Sequence, residues 1–96
     1  MNKNRRKEIA RIIAKIDEVV NDAKSKLEDI QSDIENVLEE EQEYMDLIPE
    51  NLQGSERYET AENAVDNLEN AMSAIEELID AIDSEELEEY LNDSME

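Results

Sequence analysis

The chain has no cysteine, no histidine, no tryptophan and no phenylalanine, and it has one glycine and one proline in 96 residues. Each absence excludes something. Without cysteine there is no disulfide framework and no thiolate nucleophile or ligand. Without histidine, the commonest general base and the commonest transition-metal ligand are missing. Di-metal helical bundles need a Glu-x-x-His motif, which cannot be written here. With aromatics limited to three tyrosines, a thick globular core is not expected. No apolar run approaches the ~20 residues that cross a bilayer. The N-terminus is basic, but charges interrupt every apolar stretch after it, unlike a secretory signal. These features predict a soluble protein of the cytoplasm, with no cofactor, no metal and no enzymatic activity.

What is present is charge and periodicity. Charged residues make up 40% of the chain, and the formal net charge is −20 at pH 7. The charge is unevenly placed. Residues 1–26 hold eight of the nine basic residues and four acidic ones, whereas Arg57 stands alone against 25 carboxylates in 27–96. Such asymmetry marks an interaction surface or an internal complementarity. The internal reading pairs the basic first third with the acidic last third. The external reading makes the basic segment a nucleic-acid or membrane ligand, but it has no aromatic anchors.

Apolar residues recur every seven positions. One row is Ile9, Ile16, Ala23, Ile30, Val37 and Tyr44; the other is Ile13, Val20, Leu27, Ile34, Glu41 and Ile48. This is the pattern of a coiled-coil seam. It predicts a helix over 3–48, ~69 Å long at ~1.5 Å per residue. Glu41, the one charge in the rows, either fixes register or reaches out to water. Pro49 ends the helix, and Gly54 is the natural left-handed stop within a turn over 49–54. Ser55 is placed to cap a second helix over 55–82, with Glu56 and Glu59 near its positive end. That helix repeats the pattern with Tyr58, Val65, Met72 and Ile79, and with Ala61, Leu68, Ile75 and Ile82. Asp83 or Ser84 then starts a short helix over 84–93. Folding at the turn sets Tyr44 against Tyr58, with Leu52 closing the end between them. The predicted fold is a single all-α domain over 1–96: an antiparallel two-helix coiled-coil hairpin with a short C-terminal helix.

A lone two-helix seam is thin, and a second stripe runs beside it. Ile12, Val19, Leu38 and Met45 on the first helix, with Ala64, Ala71, Ala74, Leu78 and Ala81 on the second, predict a homodimer closing into a four-helix bundle. A monomer that closes on its own third helix is the rival.

No carboxylate pair stands out for acid–base work, and the run from Asp80 to Glu89 lacks the alternating ligands and central glycine of a calcium loop. The acidic hairpin tip is the most suggestive feature. Glu35, Glu39, Glu40, Glu43, Asp46, Glu50, Glu56, Glu59 and Glu62 crowd around it, opposed by Arg57 alone. With Asp33 and Glu41 these are eleven carboxylates over ~24 Å of helix, a negative charge every ~2.2 Å, against one per ~1.7 Å for duplex DNA. This points to a protein partner with a basic nucleic-acid groove rather than to nucleic acid itself or a membrane. The plainer reading is that the charge keeps a small coiled coil soluble.

The string Pro49-Glu50-Asn51-Leu52-Gln53-Gly54-Ser55-Glu56-Arg57-Tyr58, within the stretch 39–69, resembles a family of small acidic proteins of bacteriophages and prophages of Gram-positive bacteria. The resemblance covers about a third of the chain and carries no catalytic residues. It implies a setting inside a bacterial host cell. By analogy with other small acidic phage proteins it suggests an anti-defence role, including anti-CRISPR inhibition by DNA mimicry. The alternative is a structural or adaptor coiled coil that uses its apolar side stripe.

Overall fold

The structure, a computed structural model describing residues 1–96, is all-α. Helix α1 spans Lys3–Asp46, a single 3-10 turn spans Glu50–Leu52, α2 spans Glu56–Ala81 and α3 spans Glu85–Ser94. The chain is an antiparallel hairpin, and α3 continues α2 back along the first part of α1. The resulting rod measures 76 × 17 × 12 Å. Its radius of gyration is 22.3 Å, against ~12.5 Å for a compact domain of this length. Two side-chain hydrogen bonds mark the register: Arg57 with Tyr44 near the tip and Arg6 with the Met95 carbonyl at the base, with Asp17 brought near Glu88 between them. No helix is long and apolar enough to cross a membrane.

Local chemistry explains the element ends. The Asn2 side chain accepts a hydrogen bond from Arg5 N–H at 2.9 Å and caps α1. The α1 helix stops at Leu47 because Pro49 disfavours helical backbone at Ile48. The Ser55 hydroxyl accepts from Tyr58 N–H at 3.3 Å and caps α2, as its position in the sequence predicts. At the second break, Ile82 is extended, and the Asp83 carboxylate accepts from Glu85 N–H at 2.8 Å. Ser84 instead donates to the Glu88 carboxylate at 2.9 Å; no contact has Glu86 reaching back.

Gly54 departs from expectation. It does not have a positive φ, and a Cβ built on it would meet nothing within 4 Å. The stop is made by Pro49 and by hydrogen bonds from Leu52 N–H to Pro49 O at 2.8 Å and from Ser55 N–H to Leu52 O at 3.0 Å.

The core is one seam. Only Ile48, Ala61, Val65 and Ile75 are buried. On α1 the row Ile13, Val20, Leu27, Ile34 and Glu41 stays half-buried throughout and ends on Ile48. The companion row does not hold. Ile9, Ile16 and Ala23 are half-buried, but Ile30, Val37 and Tyr44 are exposed, at 47%, 50% and 39%. Their place is taken by Gln31, Leu38 and Met45. The cause is helical arithmetic. A helix not wound into a strong supercoil drifts ~20° per heptad from a seven-residue repeat, or ~100° from position 9 to 44. That is one residue. Leu38 and Met45, placed on the side stripe by sequence spacing, therefore have the half-burial of the seam. Ala64 is half-buried as well.

The tip is rearranged accordingly. Tyr44 turns away from Tyr58 and meets Arg57, whose guanidinium lies 5.0 Å from the ring centre and donates through Nε to the phenol oxygen. Leu52 is exposed, and Ile48 closes the end of the core. Glu41 is half-buried, yet no buried side-chain oxygen lacks a partner, so its carboxylate reaches water.

Since Gly54 needs no special backbone, Gly54→Ala should raise stability by ~0.4–1 kcal/mol through the unfolded state. Denaturant unfolding measures this directly. A loss of stability would mean that the turn needs glycine after all.

Candidate functional site

The rod has two unlike faces, and helix geometry separates them. Successive residues turn ~100° about a helix axis. On α1, Ile12, Val19, Ile30, Val37 and Tyr44 form a stripe ~80° to one side of the seam, and all five are exposed. On α2, Ala74, Leu78 and Ala81 lie ~100° behind the seam direction and are exposed, with Ala71 half-buried beside them. Because α2 runs opposite to α1, these two offsets fall on the same side of the hairpin. Leu87 and Tyr90, exposed on α3, extend that side towards the base. The large exposed apolar side chains of the helices thus gather on one face.

This face is also depleted in charge. The α2 row Thr60, Asn63, Asn67, Ala71, Ala74, Leu78 and Ala81, at spacings of three and four, contains no charge in a chain that is 40% charged. The α1 stripe is interleaved with only a few charges, chiefly Lys15, Lys26 and Asp33.

The opposite face is acidic. Glu28, Glu35, Glu39 and Asp46 line it on α1, and Glu62, Glu69 and Glu76 line it on α2. All seven are exposed. Helix axes packed at ~8–10 Å make these two parallel rows of carboxylates flanking one groove. Of the residues picked out from sequence, Glu35, Glu39, Asp46 and Glu62 belong to this face. Glu40, Glu43 and Glu59 project outward from the edges, and Glu50 and Glu56 sit at the tip; all are exposed. Glu28, Glu69 and Glu76 lie away from the tip, so its charge density does not point to them. The seven-residue spacing of Glu62, Glu69 and Glu76 was the available signal.

Charge at the ends of α1 works against its own dipole. Its first turn has no acidic residue and its last turn no basic one. Lys3, Arg5 and Arg6 stand at the positive end and Glu43 and Asp46 at the negative end, arrangements that each cost ~0.3–1 kcal/mol. Helix stability does not account for this distribution.

Direct ion pairing between the chain ends does not account for it either. The two ion pairs are local to α1: Arg11 with Glu8 at 2.8 Å and Lys26 with Asp22 at 3.1 Å. Exposed pairs of this kind contribute little. The basic first third meets the C-terminal third through Arg6 Nε, which donates to the Met95 carbonyl at 3.2 Å. The close charged contact between α1 and α3 is between like groups. Glu88 has its pKa raised, first by the side-chain hydrogen bond to Asp17, which needs a proton between two carboxylates. The Ser84 hydroxyl opposes that shift, while desolvation and the charges of Asp17 and Asp83 add to it.

An open depression beside α3 is lined by Asp83, Glu85, Glu88, Glu89 and Asp93 among polar neighbours. No group of three or more carboxylates is arranged to hold a metal ion.

A raised carboxyl pKa means the folded state holds its proton longer than the unfolded chain does. The Glu88 contribution is therefore complete below the unfolded pKa and lost as pH rises through the folded one. Lowering pH from 7 towards the carboxyl range should raise the melting temperature. Asp17→Asn should raise it at pH 7 and flatten the pH dependence. An unchanged pH profile in that variant would show that the contact contributes nothing.

No family model, curated protein or solved structure matches this chain.

Proposed function

We propose that this protein is a non-enzymatic inhibitor whose acidic face and tip occupy the basic nucleic-acid groove of another protein, acting as a substitute for duplex. The observation that carries the reading is the pair of exposed carboxylate rows, Glu28 to Asp46 and Glu62 to Glu76, along a rod 17 × 12 Å in section. A polyanion of near-duplex charge density gains affinity by releasing condensed counterions, as DNA does. The charge arrangement opposes the α1 dipole, which is consistent with a distribution set by a partner rather than by folding. Arg57, the one cation of the region, is engaged by Tyr44 and forms no ion pair with the surrounding carboxylates. The resemblance to phage and prophage proteins favours a host nuclease or CRISPR effector as target and the bacterial cytoplasm as setting.

A second reading has its own observation. The charge-free row on α2 and the apolar stripe on α1 suit an adaptor that binds partner helices.

The two readings separate by salt. Tagged protein incubated with a bacterial lysate should retain nucleic-acid-binding proteins that duplex DNA or guide RNA displaces. Glu35→Lys, Glu39→Lys and Glu62→Lys together should abolish retention while leaving helicity intact. Retention that survives those changes and ~0.5 M salt, where the screening length is only ~4 Å, would reject the polyanion reading.

A further inference from the structure

The apolar face has the layout of a surface that meets its own copy. The α1 stripe is symmetric in sequence about Glu28. Ile12 and Tyr44 lie equally far from it, as do Val19 and Val37, and Lys15 and Glu41. An antiparallel copy laid on this face, with its two-fold axis at the level of residue 28, sets Val19 on Val37, Ile12 on Tyr44 and Ile30 over the Lys26 stem. It also sets Lys15 beside Glu40 and Glu41, and Lys26 within a turn of Asp33. A face that becomes self-complementary when reversed is what an isologous two-fold contact requires. We infer that the partner of this face is a second copy of the chain, packed antiparallel through Ile12, Val19, Ile30, Val37 and Tyr44 to form a four-helix bundle.

Three further observations agree. The α2 segment level with residue 28 is that of Ala71, Ala74 and Leu78, and the two small alanines let two copies of α2 approach closely. The structure exposes 7310 Å², ~1,650 Å² more than the ~5,650 Å² typical of a folded monomer of its mass. The stripe from Ile12 to Tyr44 is ~48 Å long, and the rod is 17 Å wide. Two such faces meeting bury ~1,600 Å², the size of a standard stable interface. Electrostatics selects the antiparallel order. With tips together, the most acidic ends of two chains of charge −20 would lie side by side. With one reversed, each tip lies on the less acidic end, where eight of the nine basic residues offset the carboxylates of α3.

This inference is independent of the polyanion reading, since the acidic face stays outside the bundle. Sedimentation equilibrium at high micromolar concentration should give twice 11.1 kDa, and association should tighten as salt screens the like charges. That salt response is opposite in sign to the one expected of the acidic face, so the two ideas fail separately. The chain has no cysteine, so introduced thiols report position cleanly. Val19→Cys chains mixed with Val37→Cys chains should form a disulfide on oxidation. Val19→Cys alone should not, because its own copies lie ~27 Å apart along the rod. Val19→Asp with Val37→Asp should give a helical monomer; should that variant fail to fold, the cross-linking pattern still reads the interface. A monomeric wild type would overturn the inference. So would Val19→Cys linking to itself as fast as the mixture, or a lysate partner that needs Val19 and Val37 while the chain stays monomeric.

Discussion

Two helices lying side by side can each turn only one strip of surface inward. That constraint governs the rest of the molecule. With a single seam, only four residues are buried, and every other side chain keeps substantial contact with water. The amino-acid usage follows from it. Large aromatics have no deep place to go, and apolar residues are confined to narrow rows. Charge fills the remaining circumference, which long helices accommodate readily because their backbone hydrogen bonds are satisfied internally. The outcome is a rod of two characters, apolar on one side and acidic on the other, built without sheet or disulfide.

Much of this architecture was legible in the residue pattern. The heptads of both helices, the break at Pro49, the Ser55 cap and the short helix after Asp83 are local signals, and local signals survive translation into structure. The phase of the seam did not survive. Counting in sevens assumes a helix wound to 3.5 residues per turn, and a single thin contact supplies little force for such winding. Over five heptads the difference becomes one residue, enough to bring Leu38 and Met45 towards the core and Ile30 and Val37 out of it. The same rotation carried Tyr44 from a tyrosine pair to the Arg57 guanidinium.

Gly54 and the chain ends illustrate a different limit. Glycine before a helix suggests a left-handed residue, but a proline and a 3-10 turn already reverse this chain, so no such residue is required. Opposite charge at the two ends suggests ion pairs, yet long Lys and Arg side chains on an exposed helix lose entropy when held, and water screens what they would gain. Long-range attraction between the ends needs no such contact. The acidic tip was recognised from composition, but its continuation along the back of the rod depends on which way each helix faces. Only the three-dimensional phase reveals that.

The extended residue at Ile82 gives the rod a joint. Hydrogen bonding along α2 ends there, and α3 begins anew after Ser84, with the Asp83 carboxylate accepting from Glu85 N–H. Cooperativity is interrupted at that point, so the ten residues of α3 form a unit that can open without unzipping the hairpin. Opening frees Glu88 from Asp17 and uncovers the row from Ile9 to Ile16. In hydrogen exchange, the base of the rod belongs to the class of local openings, whereas amides near Val65 and Ile75 wait for global unfolding. The molecule is therefore mechanically uneven: firm through its middle, and latched at its base by a single short helix.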